Sequence, residues 1–568
     1  MGRMALFELP DESTMIFFER FTHGIRTVAK GAIMARFNPL LRFWILLLVL
    51  ISTVSLQAAG ADPVVAVTGG KISGGISANG RAEFLGIPYA QAPVGDLRWH
   101  EPVAPKPWDG VRDAKAFGAP CAQNIAGDWN RHDAEISKED CLYLNVITPQ
   151  WPPKKPLPVM FWIHGGANTG GTASAELYKD GTLEDHGVVL VTANYRLGIF
   201  GFFAHPELTR ESAHHASGNY AILDQIAALE WVRDNIAKFG GDPHNITVFG
   251  QSAGALDTGL LMTSPLSKSL FQKAIAESGT VLLGPPLTLN IAEQGGVNFA
   301  ERLHAPAAGS LKYLRSLSAA ELLKEALVSE HSQNQGPNAA PDYHPWPVVD
   351  GYVFPQSPDA VFASGQESAI PFIIGNNTRE FDFPIPMDAL QQWMKAAFGD
   401  LTPQGLRAYG LADGGQGSTD PLYGSVANQW AADFQFRCPA TAISVWHTAA
   451  GHPVYEYQFE HAVPGQEANG AVHSAELPYV FGFYPKTGNI SGPFNATDFK
   501  IADTIEKYWT NFAKTGNPNG AGVPNWPEFD KTQAYVAITQ AGDVKAQTKL
   551  REAQCSIYRG AVDARVKK

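Results

Sequence analysis

The sequence predicts an α/β protein: a central, mostly parallel sheet flanked by helices, with large inserted helical and loop regions. Three observations carry this. Leu157–Ile163 (LPVMFWI) and residues 188–195 (VVLVTANY) are unbroken apolar runs of strand length, as expected of strands buried on both faces. Residues 220–239 set Ile222, Ile226, Leu229, Trp231 and Ile236 close to one helical stripe. Residues 246–250 (ITVFG) then return to a β-branched run, so strand, helix and strand alternate.

Each element has its own signal. Gly240, Gly241 and Pro243 end the helix that begins at Tyr220. The strand 246–250 runs into Gly250-Gln251-Ser252-Ala253-Gly254, followed by an Ala/Leu-rich segment. Gly-x-Ser-x-Gly between a strand and a helix is the layout of a sharp turn that lifts a serine above the sheet edge. Glycines flank it because a Cβ at either place would meet neighbouring backbone. Residues 284–347 show no strand period and read as an inserted helical region with irregular loops. Residues 371–375 (PFIIG) and Val454–Phe459 (VYEYQF) are the later strands.

With 568 residues, 45% hydrophobic and 17% charged, the chain has the material for a large packed core. No Ser/Gly linker or repeat divides it, so one catalytic-size domain, 62–568, is expected. The net charge of −12 leaves no basic face for a nucleic acid. No phosphate-binding glycine loop, HExxH or CxxC pair is present, so no cofactor and no metal are expected. Residues 43–56 (FWILLLVLISTVSL) follow Arg36 and Arg42 and precede Ala59-Gly60-Ala61. That order reads as a secretory signal peptide cleaved after Ala61. The run is short of the roughly 20 residues of a membrane span, so no stable span is expected after cleavage. Residues 1–33 lie far upstream for a leader, and Met34 is the better start. Export implies a secreted or periplasmic protein. Four cysteines, an even number, suit an oxidising compartment, and their spacing leaves three pairings open.

A serine hydroxyl becomes a nucleophile only with a base in reach, and the base needs an acid to fix its tautomer and stabilise its cation. In the strand-turn-helix arrangement the partners follow in the order acid, then histidine. Glu380 and Asp382 both follow the strand 371–375 and compete for the acid role. His473 lies in a loop after the strand 454–459, just before a helix signal, and suits a general base, though sixteen histidines are available. His164-Gly165-Gly166-Ala167 follows the strand 157–163. Small residues there let backbone N–H groups approach an oxyanion, and Ala253, next to Ser252, supplies another donor.

These residues carry a family resemblance. The chain is similar to the type B carboxylesterases, the group that includes the cholinesterases. Residues 239–254 (FGGDPHNITVFGQSAG) fit that family's serine signature and 139–146 (EDCLYLNV) its second signature. GIPYA at 86–90, NYRLG at 194–198 and YWTNFA at 508–513 match as well, and the resemblance runs from about Val64 to Tyr558. It implies an α/β-hydrolase fold and a serine esterase that takes a small-molecule ester through an acyl-enzyme on Ser252. The family's Gly-x-Asn-x-x-Glu segment matches 375–380 and prefers Glu380 over Asp382. Its Gly-x-x-His-x-x-Glu-Leu segment selects His473 as base. It implies Gly165, Gly166, Ala167 and Ala253 as the oxyanion site, and pairs Cys121 with Cys141 and Cys438 with Cys555.

Four positions depart from the family pattern. Gln251 replaces a common Glu, so neutral esters are expected to be cleaved at least as well as choline esters. Ala167 replaces a third glycine and keeps its N–H. Phe381 follows the acid where Gly is common. Asp257 stands where Ser is usual, and the sequence offers no account of it. Two other readings stand beside the esterase. A lipase needs an apolar lid, and 284–347 is mixed in character. A non-catalytic cholinesterase-like binding domain typically lacks the nucleophile, whereas Ser252, Glu380 and His473 are all present. Trp129 and Phe381 are candidate pocket walls.

Overall fold

The computed structural model describes residues 62–332, 341–382 and 385–566. The leader expected at 1–61 lies outside them. Contacts gather Pro63–Lys568 into one unit.

Its main sheet has eleven strands. In chain order they are β1 (Gly75–Ile76), β2 (Ala82–Pro88), β3 (Tyr143–Thr148), β4 (Leu157–Ile163), β5 (Val189–Ala193), β6 (Gly241–Gln251), β7 (Lys273–Glu277), β8 (Phe372–Asn377), β9 (Val454–Phe459), β10 (Ala534–Ile538) and β11 (Val544–Thr548). In space they run β11-β10-β9-β8-β7-β6-β4-β5-β3-β2-β1. From β5 across to β10 every pairing is parallel. The outer pairs at both margins are antiparallel.

The apolar runs owe their continuity to burial on two faces. Along β4, Val159, Phe161 and Ile163 enter one core, while Met160 and Trp162 enter the other. The helices divide the same way. Helices α1 (Tyr220–Asn235), α2 (Ala253–Thr263) and α3 (Cys438–Ala449) send Ile226, Leu260 and Ile443 into the first core. Helix α4 (Ala496–Thr515) sends Ile505, Trp509 and Phe512 into the second.

Helix α1 is shorter than its apolar pattern. It ends at Asn235 and tightens into a 3₁₀ turn, Ile236–Phe239, closed by Gly240 at φ +86°. Strand β6 starts earlier than its β-branched run because Gly241 already pairs with Leu157. Pro243 falls where that pairing shifts register, the place at which a missing N–H is tolerated. Among its described residues the insertion after Gly284 holds three helices, Leu289–Arg302, Ser310–Ser316 and Ala319–Ser332. It also contains a parallel pairing of Leu287–Thr288 with Val348–Val349, too short to leave a period in the sequence. Disulfides join Cys121 to Cys141 and Cys438 to Cys555. Among the described residues no helix is long and apolar enough to cross a membrane, and no cluster of potential metal ligands occurs.

Candidate active site

In an open parallel sheet, loops leaving the carboxyl ends of the strands gather along one edge. Here β4 leads to His164–Ala167, β6 to Ser252, β8 to Glu380, and β9 to the loop that carries His473. Ser252 adopts φ +58°, ψ −123°, a strained conformation for a residue with a side chain. The turn is tight enough to require both glycines. A Cβ on Gly250 would stand 2.4 Å from the Gly254 carbonyl oxygen, and one on Gly254 2.0 Å from that of Ile163.

The loops after β8 and β9 are tied to each other by backbone. Arg379 N–H donates to Ala471 O at 3.0 Å, and His473 N–H to Glu380 O at 2.6 Å. This brings Glu380 Oε2 to 2.7 Å from His473 Nδ1. Glu380 Oε1 accepts from the Asn377 N–H at 2.7 Å, and the residue is 1% exposed. A carboxylate so placed fixes the imidazole with Nδ1–H toward it and the Nε2 lone pair toward the cavity. Asp382, the rival in sequence, is exposed and accepts from Asn428 Nδ2 at 3.0 Å. The rings of Phe381 and Phe436 lie 4.3 Å and 5.2 Å from the His473 ring and confine it.

Ser252 and His473 line one cavity of about 420 Å³, with Gly165, Gly166, Ala167, Trp129, Trp162, Tyr178, Phe381, Leu477 and Ile490 on its walls. That size suits a small organic substrate. Both aromatic wall candidates are there: Phe381 beside the histidine, and Trp129, half-exposed, over the glycine loop. The loop is held open by positive φ at Gly166 (+116°), Ala167 (+55°) and Asn168 (+58°). Among the described residues the N–H groups of Gly165, Gly166, Ala167 and Ala253 donate to no protein acceptor. Free donors at the start of α2 and in a facing loop are what a developing oxyanion needs.

The buried surroundings set the charges. Burial lowers the His164 imidazole to about 4, so it stays neutral; it stacks on Tyr195 and contacts the Gly165 carbonyl through Nδ1. Behind Glu380, burial and then the Glu380 charge push the Glu476 carboxyl up to about 7. Asp133, on the cavity wall, is also raised by burial.

Two features escape sequence reasoning. The Gln251 amide nitrogen stands 3.1 Å from His473 Nε2, and no Ser252–His473 hydrogen bond is formed. Gln251 is therefore more than a neutral neighbour of the serine, because its –NH2 occupies the lone pair that faces the cavity. The glycine loop is braced by Gln123, whose amide oxygen accepts from the Gly171 N–H and whose amide nitrogen donates to Gly171 O. Neither contact has a motif, since each joins residues far apart in the chain.

Comparison with known proteins identifies the group to which this arrangement belongs. Residues 61–558 match the model of the carboxylesterase family. The chain is 37% identical to a fumonisin B1 esterase of Sphingopyxis macrogoltabida, over 79% of this chain and 81% of that protein. It is 36% identical to a medium-chain fatty acyl-CoA hydrolase precursor of Anas platyrhynchos, over 84% and 87%. Among solved structures it resembles a PNB esterase with a TM-score of 0.75 and 32% identity, covering 88% of this chain and 99% of that one. A chain with this α/β-hydrolase sheet and these relatives belongs to the carboxylesterase family and is a carboxylic ester hydrolase.

Proposed function

We propose that this ester hydrolase works by a serine mechanism and is exported. In this reading Ser252 Oγ attacks the ester carbonyl while His473 Nε2 takes its proton, and Glu380 supports the imidazolium. Negative charge on the former carbonyl oxygen is received by the N–H groups of Gly166, Ala167 and Ala253, with Gly165 beside them. His473 returns the proton to the departing alkoxide, and water then repeats the sequence on the acyl-enzyme. The Gln251 amide has to release Nε2 before the first step. The observation that carries the proposal is the Glu380–His473 contact at 2.7 Å at the edge of a cavity that also holds Ser252 and unpaired N–H donors.

The substrate class follows from the walls. Their aromatic and aliphatic lining and the neutral Gln251 favour neutral esters with apolar acyl or alcohol groups over choline esters. Residues 62–568 constitute the mature catalytic domain, and 1–61 a leader with its start near Met34. Two disulfides fit an oxidising destination, either secreted or periplasmic.

Substitution tests the mechanism. Ser252→Ala should lower turnover of a soluble neutral ester by several orders of magnitude with the fold intact. Glu380→Gln should also be severe, and Asp382→Asn mild. Near-wild-type turnover by folded Ser252→Ala, or an Asp382→Asn defect far above that of Glu380→Gln, contradicts the assignment.

A further inference from the structure

Asp257, the departure that the sequence leaves unexplained, acquires a place in the site. It lies on α2, one turn beyond Ser252, and is fully buried. Its Oδ1 accepts from Asn168 Nδ2 at 2.9 Å, and its Oδ2 from Gln225 Nε2 at 2.6 Å. Gln225 belongs to α1. Asn168 follows Ala167 in the glycine loop, is itself buried, and gives its carbonyl to the Gly198 N–H at 2.7 Å.

The loop needs such a hold. Ala167 and Asn168 both sit at positive φ, a conformation that persists in side-chain-bearing residues only when the surroundings over-determine it. The donors of the oxyanion site also come from two separate pieces of chain: the loop supplies Gly166 and Ala167, and the start of α2 supplies Ala253. One carboxylate on α2 bonded to the residue after Ala167 fixes these pieces to each other. A serine at 257 is shorter and uncharged, and lacks the two spaced oxygens that receive the amides separately. Among the described residues the remaining oxygens of Asn168 and Gln225 are buried without partners, so both side chains are oriented by Asp257 rather than by a wider network. Burial raises the Asp257 carboxyl to about 7, against the two amide bonds that lower it.

We propose that Asp257 and Asn168 are positioning residues for the oxyanion site, holding the Ala167 N–H in register with that of Ala253. The proposal rests on the reading of Ser252 as nucleophile. A role confined to holding α1 against α2 would run through Gln225 instead, and this separates the alternatives.

The experiment compares Asp257→Ser, Asn168→Gly and Gln225→Leu in the full enzyme. Glycine at 168 keeps the backbone conformation accessible while removing the amide. The readouts are kcat and KM on a soluble p-nitrophenyl ester, and inhibition by a trifluoromethyl ketone, whose adduct with Ser252 carries an oxyanion. Asp257→Ser and Asn168→Gly are expected to lower kcat by about 10- to 100-fold, less than outright loss of a donor. KM should stay within about threefold. Ketone affinity should fall in parallel with kcat, and the double variant should be no worse than the more damaged single one. Gln225→Leu should lower the thermal midpoint and leave kcat within about threefold.

Wild-type kcat in folded Asp257→Ser overturns the proposal. So does an equal kcat loss in Gln225→Leu and Asn168→Gly, or a kcat loss with unchanged ketone affinity. If Asp257→Ser does not fold, the Asn168→Gly and Gln225→Leu comparison decides. A wild-type enzyme indifferent to the ketone overturns the Ser252 reading together with this one. Failure of the positioning role alone leaves wild-type inhibition intact.

Discussion

The Gln251 amide that faces His473 gives the site its individual chemistry. A carboxylate in the place of that amide would favour the imidazolium. In the proposed mechanism His473 has to be unprotonated to start. Gln251→Glu should therefore move the acid limb of the kcat/KM profile to higher pH. The same change should improve the ratio of choline ester to neutral isostere. A limb that stays in place would mean that the 3.1 Å contact has no bearing on the base, and one that moves down would contradict the expected sign. Sequence reasoning reaches Gln251 as a neutral neighbour of Ser252, but its contact is with a residue 222 positions away. Asp257 is opaque for the same reason, with its partners 89 and 32 positions distant.

At the scale of elements, what the chain declares in advance is what local chemistry controls. The strands 157–163 and 454–459 can be read to the residue because both faces are buried and their ends coincide with turn residues. The serine turn is legible because its strain demands two glycines. Boundaries set by pairing are not legible: β6 begins at Gly241 because Leu157 waits across from it. The disulfide pairing is a matter of geometry as well. Cys438 opens α3 and Cys555 lies in α5 (Glu552–Val566), with Cα atoms 4.7 Å apart at a sequence separation of 117. Trp446 Nε1 donates to Asp563 across the same pair of helices. A loop this long constrains the unfolded chain strongly, by about 4–5 kcal/mol in the chain-entropy model. Replacing both cysteines by alanine should lower the thermal midpoint by several degrees and leave kcat near wild type, since neither helix reaches the cavity. An unchanged midpoint would mean that the cross-link adds nothing to stability.

The whole molecule buries carboxyl groups that its catalytic chemistry does not use. Glu184 is fully buried, and among the described residues neither of its oxygens has a hydrogen-bond partner. Arg81 lies 3.6 Å away but directs its N–H groups to Gly181 O and Asp185. Burial, opposed by Arg81, raises the Glu184 carboxyl from 4.5 to about 8. Glu456 is raised by burial to about 7. A carboxyl that binds its proton more tightly when folded contributes stability that is fully present below its unfolded value. That contribution is lost as pH rises toward the folded value. For Glu184 the window is about 4.5 to 8. Glu184→Gln keeps the shape and removes the titration. Its thermal midpoint relative to wild type should rise steadily across that window and level off above it. A difference independent of pH would show that Glu184 holds no proton in the folded protein.

The central claim is that turnover passes through a covalent bond to Ser252, and labelling followed by peptide mapping tests it most directly. A fluorophosphonate ester loses fluoride to an activated serine oxygen and leaves a stable phosphonyl adduct. The account predicts one adduct per chain, on the peptide containing Ser252, formed in step with loss of esterase activity and absent in Ser252→Ala. Full activity in a chain labelled at Ser252, or inactivation with the label on another residue, would contradict it.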